Sequence, residues 1–233
     1  MNVATIPVSM ILDLISRTAE ATILVLATLF PIVNPIGSAA VFLSMVGTLE
    51  DGLQRRLARR ITFYSYCLLV VSMIVGGKIL SFFGISLYAV QMGGGLVVAS
   101  SGWQLLTKDA KKDEQAVANP DEVLAQAFFP YTLPITVGPG SISVAIALGA
   151  HLPSQLHATG FFSPLVLIAS LVGSALVCAI VYVCYRWARN AARMLGSTGM
   201  VVLMRLSSFI LFCIGVQILA TGLRSFLSTI HWH

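Results

Sequence analysis

The stretch Pro31-Ile32-Val33-Asn34-Pro35-Ile36-Gly37-Ser38 and its echo 103 positions later, Pro134-Ile135-Thr136-Val137-Gly138-Pro139-Gly140-Ser141, decide how this chain is read. Pro, Ile, Gly and Ser return in the same register, and Val41 is matched by Val144. Each copy lies in the middle of a long apolar run. Proline removes a backbone donor and crowds the preceding turn, and glycine admits positive φ, so an uninterrupted α-helix is not expected through either copy.

The surrounding composition names the solvent. Of 233 residues, 57% are hydrophobic and 10% charged, against roughly 25% charged in a soluble domain. Runs near 21–46, 61–83, 85–107, 125–150, 163–187 and 200–223 each supply the ~20 apolar residues that a membrane-spanning helix needs. The expected fold is all-α, with six transmembrane helices. An interfacial segment, residues 1–20, is expected before them, because Asp13 and Arg17 interrupt its apolar character. A tail, 225–233, follows them. The one long polar connection, 108–124, holds three lysines and five acidic residues between Lys108 and Glu122, with Asn119-Pro120 as a breaker.

With six spans, ten Lys and Arg residues share one side: Arg55, Arg56, Arg59, Arg60, Lys108, Lys111, Lys112, Arg186, Arg189 and Arg193. The other side has Arg17, Lys78 and Arg224. The positive-inside rule puts the ten in the cytoplasm and both termini outside. The two Pro/Gly copies then enter the membrane from opposite sides, in the first and fourth spans. This is the pattern of two inverted three-helix repeats, 21–107 and 125–224, whose broken helices meet near the midplane, as in many secondary transporters.

Broken helices persist in lipid only where protein or a watery cavity satisfies their backbone. Asn34 fits an N-cap with Pro35 at the first helical position, and Gly140 and Ser141 would open the corresponding half-helix. Two such ends, each with free N–H groups and partial positive charge, suit a small anion such as a carboxylate. The expected substrate-binding residues are Asn34, Pro35, Gly37, Ser38, Thr136, Gly138, Pro139, Gly140 and Ser141, with Arg205 in the sixth span as a further partner for a carboxylate.

Other chemistries find less footing. The net charge of +5 lies in loops and forms no groove with stacking aromatics, so no nucleic-acid partner is expected. The four cysteines, Cys67, Cys178, Cys184 and Cys213, fall inside apolar runs without metal spacing, and His151, His157, His231 and His233 form no zinc pattern. No cofactor or metal is expected. No serine is placed with a buried His or Lys base, so an enzyme is not expected. No Asp or Glu lies inside a span, which leaves a coupling proton without an obvious carrier and a carbonyl-held sodium ion as the alternative. Gly93, Gly94 and Gly95 read as a close helix contact, and Gln91 and Gln104 as interhelical hydrogen bonds.

Several of these residues carry a resemblance. Asn34-Pro35-Ile36-Gly37 with Val41-Phe42-Leu43-Ser44-Met45, the pair Gly93-Gly94, Leu133-Pro134 through Gly138-Pro139-Gly140, and Arg205 resemble the MarC/SnatA family of bacterial and archaeal membrane proteins, over about residues 22–224. The chain departs from the family pattern at Ala40, where a proline is usual, at Val90, where an arginine is frequent, and at Ser208, where a glycine is usual. The resemblance implies a six-span protein of the bacterial inner membrane, in a wider LysE-type group that includes amino-acid exporters. It also implies a small zwitterionic solute such as glycine or alanine, moved by alternating access. A scaffold role without transport, with glycines serving packing and homo-oligomer formation, and efflux of other small solutes are the competing readings.

Overall fold

A computed structural model describes residues 8–46, 49–107, 120–156 and 163–229. Residues 1–7, the linker residues 108–119, the 157–162 connection with His157, and the tail residues 230–233 with His231 and His233 lie outside the described residues. The elements in chain order are α1 (Val8–Val33), α2 (Pro35–Val46), α3 (Asp51–Phe82), α4 (Leu87–Thr107), α5 (Pro120–Ala125), a π-helical segment (Ala127–Thr136), α6 (Pro139–Gln155) and α7 (Pro164–Thr229). No strand occurs among the described residues.

Helix α7 is two helices joined at Gly196, whose φ of 69° and ψ of 177° only glycine adopts readily. Its N-terminal arm is Pro164–Gly196 and its C-terminal arm Thr198–Thr229. Four helical stretches are long and apolar enough to cross a membrane: Leu12–Leu43, Asp51–Phe82 and these two arms. The π-helical segment and α6, bent by 68° at their junction, make a fifth if they count as one span. Helix α4 occupies the expected third span but is not among them, because Gln91, Gln104 and its glycines and serines dilute its apolar content. Residues 8–20, expected as a separate interfacial segment, are the first turns of α1.

The two Pro/Gly copies are interrupted in unequal ways. At the first, only Asn34 leaves the helix, with φ of 47°, and the rod continues as one apolar stretch. The ladder survives on both sides, because Asn34 N–H donates to Phe30 O at 3.0 Å and Ser38 N–H to Asn34 O at 2.9 Å. At the second, Leu133 (φ −109°, ψ 120°) and Val137 (φ −121°, ψ 91°) are extended, so the chain turns sharply before α6 begins.

Hydrogen bonds and packing fix the ends of the bundle. Gln54 Nε2 donates to Tyr185 O at 2.8 Å, Arg60 Nη1 to Leu124 O at 3.1 Å, and Arg189 forms an ion pair with Asp51 at 2.7 Å, so the arginine-rich starts and ends of α3, α5 and the N-terminal arm meet. The buried apolar core lies among α1, α3, α6 and that arm, around Val25, Leu29, Ile61, Met73, Leu152 and Val177. Many large apolar side chains on the outward faces, such as Phe63, Val71 and Leu176, remain exposed, as lipid-facing surfaces require.

Helix α4 is held by a seam of small residues. A Cβ on Gly95 would meet the backbone of Leu219 at 2.5 Å, one on Gly102 that of Phe212 at 2.5 Å, and one on Gly215 the Cα of Ala99 at 2.6 Å. Backbones approach this closely only where side chains are absent. Gly93 faces open space and takes no part. Gly215→Leu is therefore expected to force α4 off the C-terminal arm and cost about 3 kcal/mol or more, and Gly93→Leu to cost little. Thermal unfolding of the detergent-solubilised variants checks this, and equal losses would remove the seam as the cause.

Candidate functional site

A cavity of about 290 Å³ lies where the two interruptions face each other. The first copy contributes Ile32, Val33, Asn34, Ser38 and Val41, and the second contributes Pro134, Ile135, Thr136, Gly138, Pro139, Gly140 and Ser141. Helix α4 closes it with Val97, Val98, Ser101, Gln104 and Leu105, and the C-terminal arm with Leu211. None of these residues carries a charge.

Local chemistry explains why both starts point into the cavity. Pro35 has no N–H to return to the carbonyl of Pro31, so that carbonyl loses its helical donor. Asn34 Oδ1 accepts from Gly37 N–H at 3.2 Å, the N-cap bond, which commits Oδ1 and leaves the Nδ2 donors for other partners. Helix α6 starts differently: Gly138 sits extended at its N-cap (φ −83°, ψ 174°), Pro139 takes the first helical position, and no side chain caps the end. Ile142 N–H already donates to Gly138 O at 3.1 Å. The amides of Gly140 and Ser141 are thus the first donors of α6, without acceptors in their own helix. The open end belongs to α6, whereas α2 is capped by its own asparagine.

Two expected polar contributors are already engaged. Thr136 Oγ1 donates to Tyr131 O at 2.7 Å and shares a 2.7 Å bond with the Tyr185 hydroxyl. Ser38 Oγ donates to Pro35 O at 3.3 Å, with the Tyr185 hydroxyl close by. The Tyr185 hydroxyl is therefore bonded to the end of the π-helical segment and lies close to the start of α2. Its ring is fully buried and stacks on Phe42, with centroids 4.5 Å apart, while Phe42 meets Tyr131 edge-on at 5.8 Å. None of these three aromatics lines the cavity, and the backbone carbonyl of Tyr185 accepts from Gln54 near the arginines of α3.

Of the other expected residues, Pro35 and Gly37 shape the start of α2 behind the cavity wall. Arg205 is exposed and does not line the cavity; it precedes the lining residue Leu211 by six positions, about 9 Å along the helix. Gln104, expected to bridge helices, bonds within its own helix, Nε2 to Ser100 Oγ at 3.2 Å, which leaves Oε1 as an acceptor at the exposed wall of the cavity. Tyr185, Ser101 and Gln104 have no counterpart among the expected site residues, and the one local signal was an amide in a glycine-rich span. Among the described residues no group of three or more His, Cys, Asp or Glu side chains gathers as a metal site.

The cap has a direct consequence for stability. Asn34→Ala loses the cap and puts an alanine at φ 47°, at a combined cost of about 2–3 kcal/mol, whereas Asn34→Gly relieves the strain and is expected to cost less than about 1 kcal/mol. Tyr185→Phe, which strips the buried hydroxyl bonded to Thr136, is expected to cost about 1–3 kcal/mol. Thermal unfolding ranks the three, and an alanine variant more stable than the glycine variant would contradict the capped geometry.

Comparison with known proteins gives the site its context. No solved structure matches this chain. Curated relatives named inner membrane protein MarC, from Salmonella paratyphi B and Citrobacter koseri, are 29% identical over 213 residues, covering 88% of this chain and 95% of theirs. A relative of the same name from Escherichia coli O1:K1 is 28% identical over the same span. The family described as MarC family integral membrane protein matches residues 19–227, so both interruptions, α4 and the Tyr185 cluster fall inside the matched region, and the chain belongs to this family.

Proposed function

We propose that this protein is a transporter of the inner membrane that moves small neutral amino acids, or similar zwitterions, by alternating access. The observation that carries the reading is the uncharged cavity between the two Pro/Gly interruptions, with the uncapped start of α6 in its wall. The solute carboxylate takes the amides of Gly140 and Ser141, the Ser141 hydroxyl and Asn34 Nδ2, where the positive end of the α6 dipole favours an anion. Its ammonium takes Gln104 Oε1 and the carbonyls released by the interruptions. A zwitterion suits a site without charged side chains, because its own charges cancel and it imposes no net desolvated charge.

Size supports a small solute. Ligand pockets range over roughly 300–1,000 Å³, and this cavity, at about 290 Å³, stands at the low end. Bulky drugs exceed it. The six spans arranged as two inverted repeats, with both termini on the outer side, belong to the same reading and rest on the repeat and the arginine distribution. Alternating access then requires the Phe42–Tyr131–Tyr185 cluster to part, and a proton or a carbonyl-held sodium ion is the coupling species.

Proteoliposome counterflow of labelled glycine, alanine and serine tests the proposal. Ser141→Ala is expected to weaken apparent affinity about tenfold, the value of one hydrogen bond to a charged group. Gly140→Leu, whose side chain would collide with Val98 and fill the cavity, is expected to abolish exchange. No counterflow of any of the three by folded protein, together with no thermal stabilisation by them, would sink the proposal in favour of a scaffold role.

A further inference from the structure

Away from the midplane cavity, the arginine-rich end of the bundle holds a larger crevice of about 910 Å³ between α3, α5 and the N-terminal arm of α7. Arg56, Arg59 and Arg60 line one part of it, on successive turns of a single helix, and all three are exposed. Among the described residues no acidic side chain lines it, and the ion pairs of Arg17 with Asp13 and of Arg189 with Asp51 lie elsewhere. Arg60 is steadied from below by its 3.1 Å bond to Leu124 O.

The rest of the lining changes character along the bundle. Tyr64 and Tyr182 follow the arginines, with Tyr64 held edge-on to Phe128 at 5.7 Å, and Ala175, Cys178 and Ala179 form a smooth apolar floor. Phe63, at 62% exposure, lines the crevice too, and beyond it the same helices present apolar side chains outward, Val71 at 55% and Val172 at 45%. Cationic groups, then aromatic hydroxyls, then an apolar strip is the order of an amphiphile with an anionic head. Tyrosine favours the interface between headgroup and hydrocarbon, and guanidinium groups bind phosphate oxygens bidentately.

We infer that this crevice binds an anionic phospholipid, its phosphodiester head on Arg56, Arg59 and Arg60 and one acyl chain on the floor between α3 and the N-terminal arm of α7. Basic pockets between helices at this depth suit such headgroups. A lipid seated there bridges helices that otherwise meet through few polar contacts. Its binding stabilises the fold, because a ligand of the folded form alone raises apparent stability.

The test uses the full chain in neutral detergent, with added phosphatidylglycerol, phosphatidylcholine, inorganic phosphate or glycerol 3-phosphate. Phosphatidylglycerol is expected to raise the unfolding temperature by roughly 5 °C more than phosphatidylcholine, and the two soluble phosphates to give no comparable gain. Arg56→Gln/Arg59→Gln/Arg60→Gln removes most of that preference, whereas Arg55→Gln/Arg193→Gln, at arginines outside the crevice, keeps it. Should the triple variant fail to fold, native mass spectrometry of Arg59→Gln decides, with severalfold lower phosphatidylglycerol occupancy expected. Equal stabilisation by phosphatidylcholine, an equal gain from either soluble phosphate, the same loss in the double variant, or unchanged occupancy in Arg59→Gln each overturns the lipid assignment.

Discussion

A polypeptide that interrupts its helices inside a membrane must find partners for the backbone groups it releases, because hydrocarbon offers none. In this protein the obligation is met twice and by different means. Asn34 turns its own side chain onto Gly37 N–H, so the first interruption closes on itself with the rod direction kept. The second has no side-chain cap, and its donors open onto a cavity. From that difference follow the place of the cavity, the open end of α6 in its wall, and the need for a buried device that keeps the two interruptions together.

That device is Tyr185. A fully buried tyrosine needs a hydrogen-bond partner, and here it has Thr136 from one interruption, with Ser38 of the other close by. Its ring adds the Phe42 stack, and its carbonyl holds Gln54 of α3. One residue therefore couples the floor of the cavity to the arginine-rich end of the bundle.

The glycine seam and the arginine crevice show the same division between what faces protein and what faces lipid. Helix α4 brings little apolar drive of its own, and its close approach to the C-terminal arm through Gly95, Gly102 and Gly215 replaces that drive with backbone packing. Helix α3 does the reverse. It carries exposed apolar side chains along most of its length and gathers its arginines at one end, where headgroups lie.

The sequence by itself determined the elements whose physics is local. Apolar runs marked the helices, the Pro/Gly copies marked the interruptions, and Asn34-Pro35 marked a cap, because each depends on neighbours within a few residues. Local rules left the shape of each interruption open, since Pro, Gly and Asn report that a ladder is disturbed but not whether the rod bends. Tertiary structure alone decided the rest. Thr136 and Ser38 turned inward to Tyr185, 49 positions from the former, Gln104 came to the cavity wall and Arg205 stayed outside it. These outcomes are set by which helix faces meet, and in a span where most positions are apolar the sequence carries little periodicity to say which face that is.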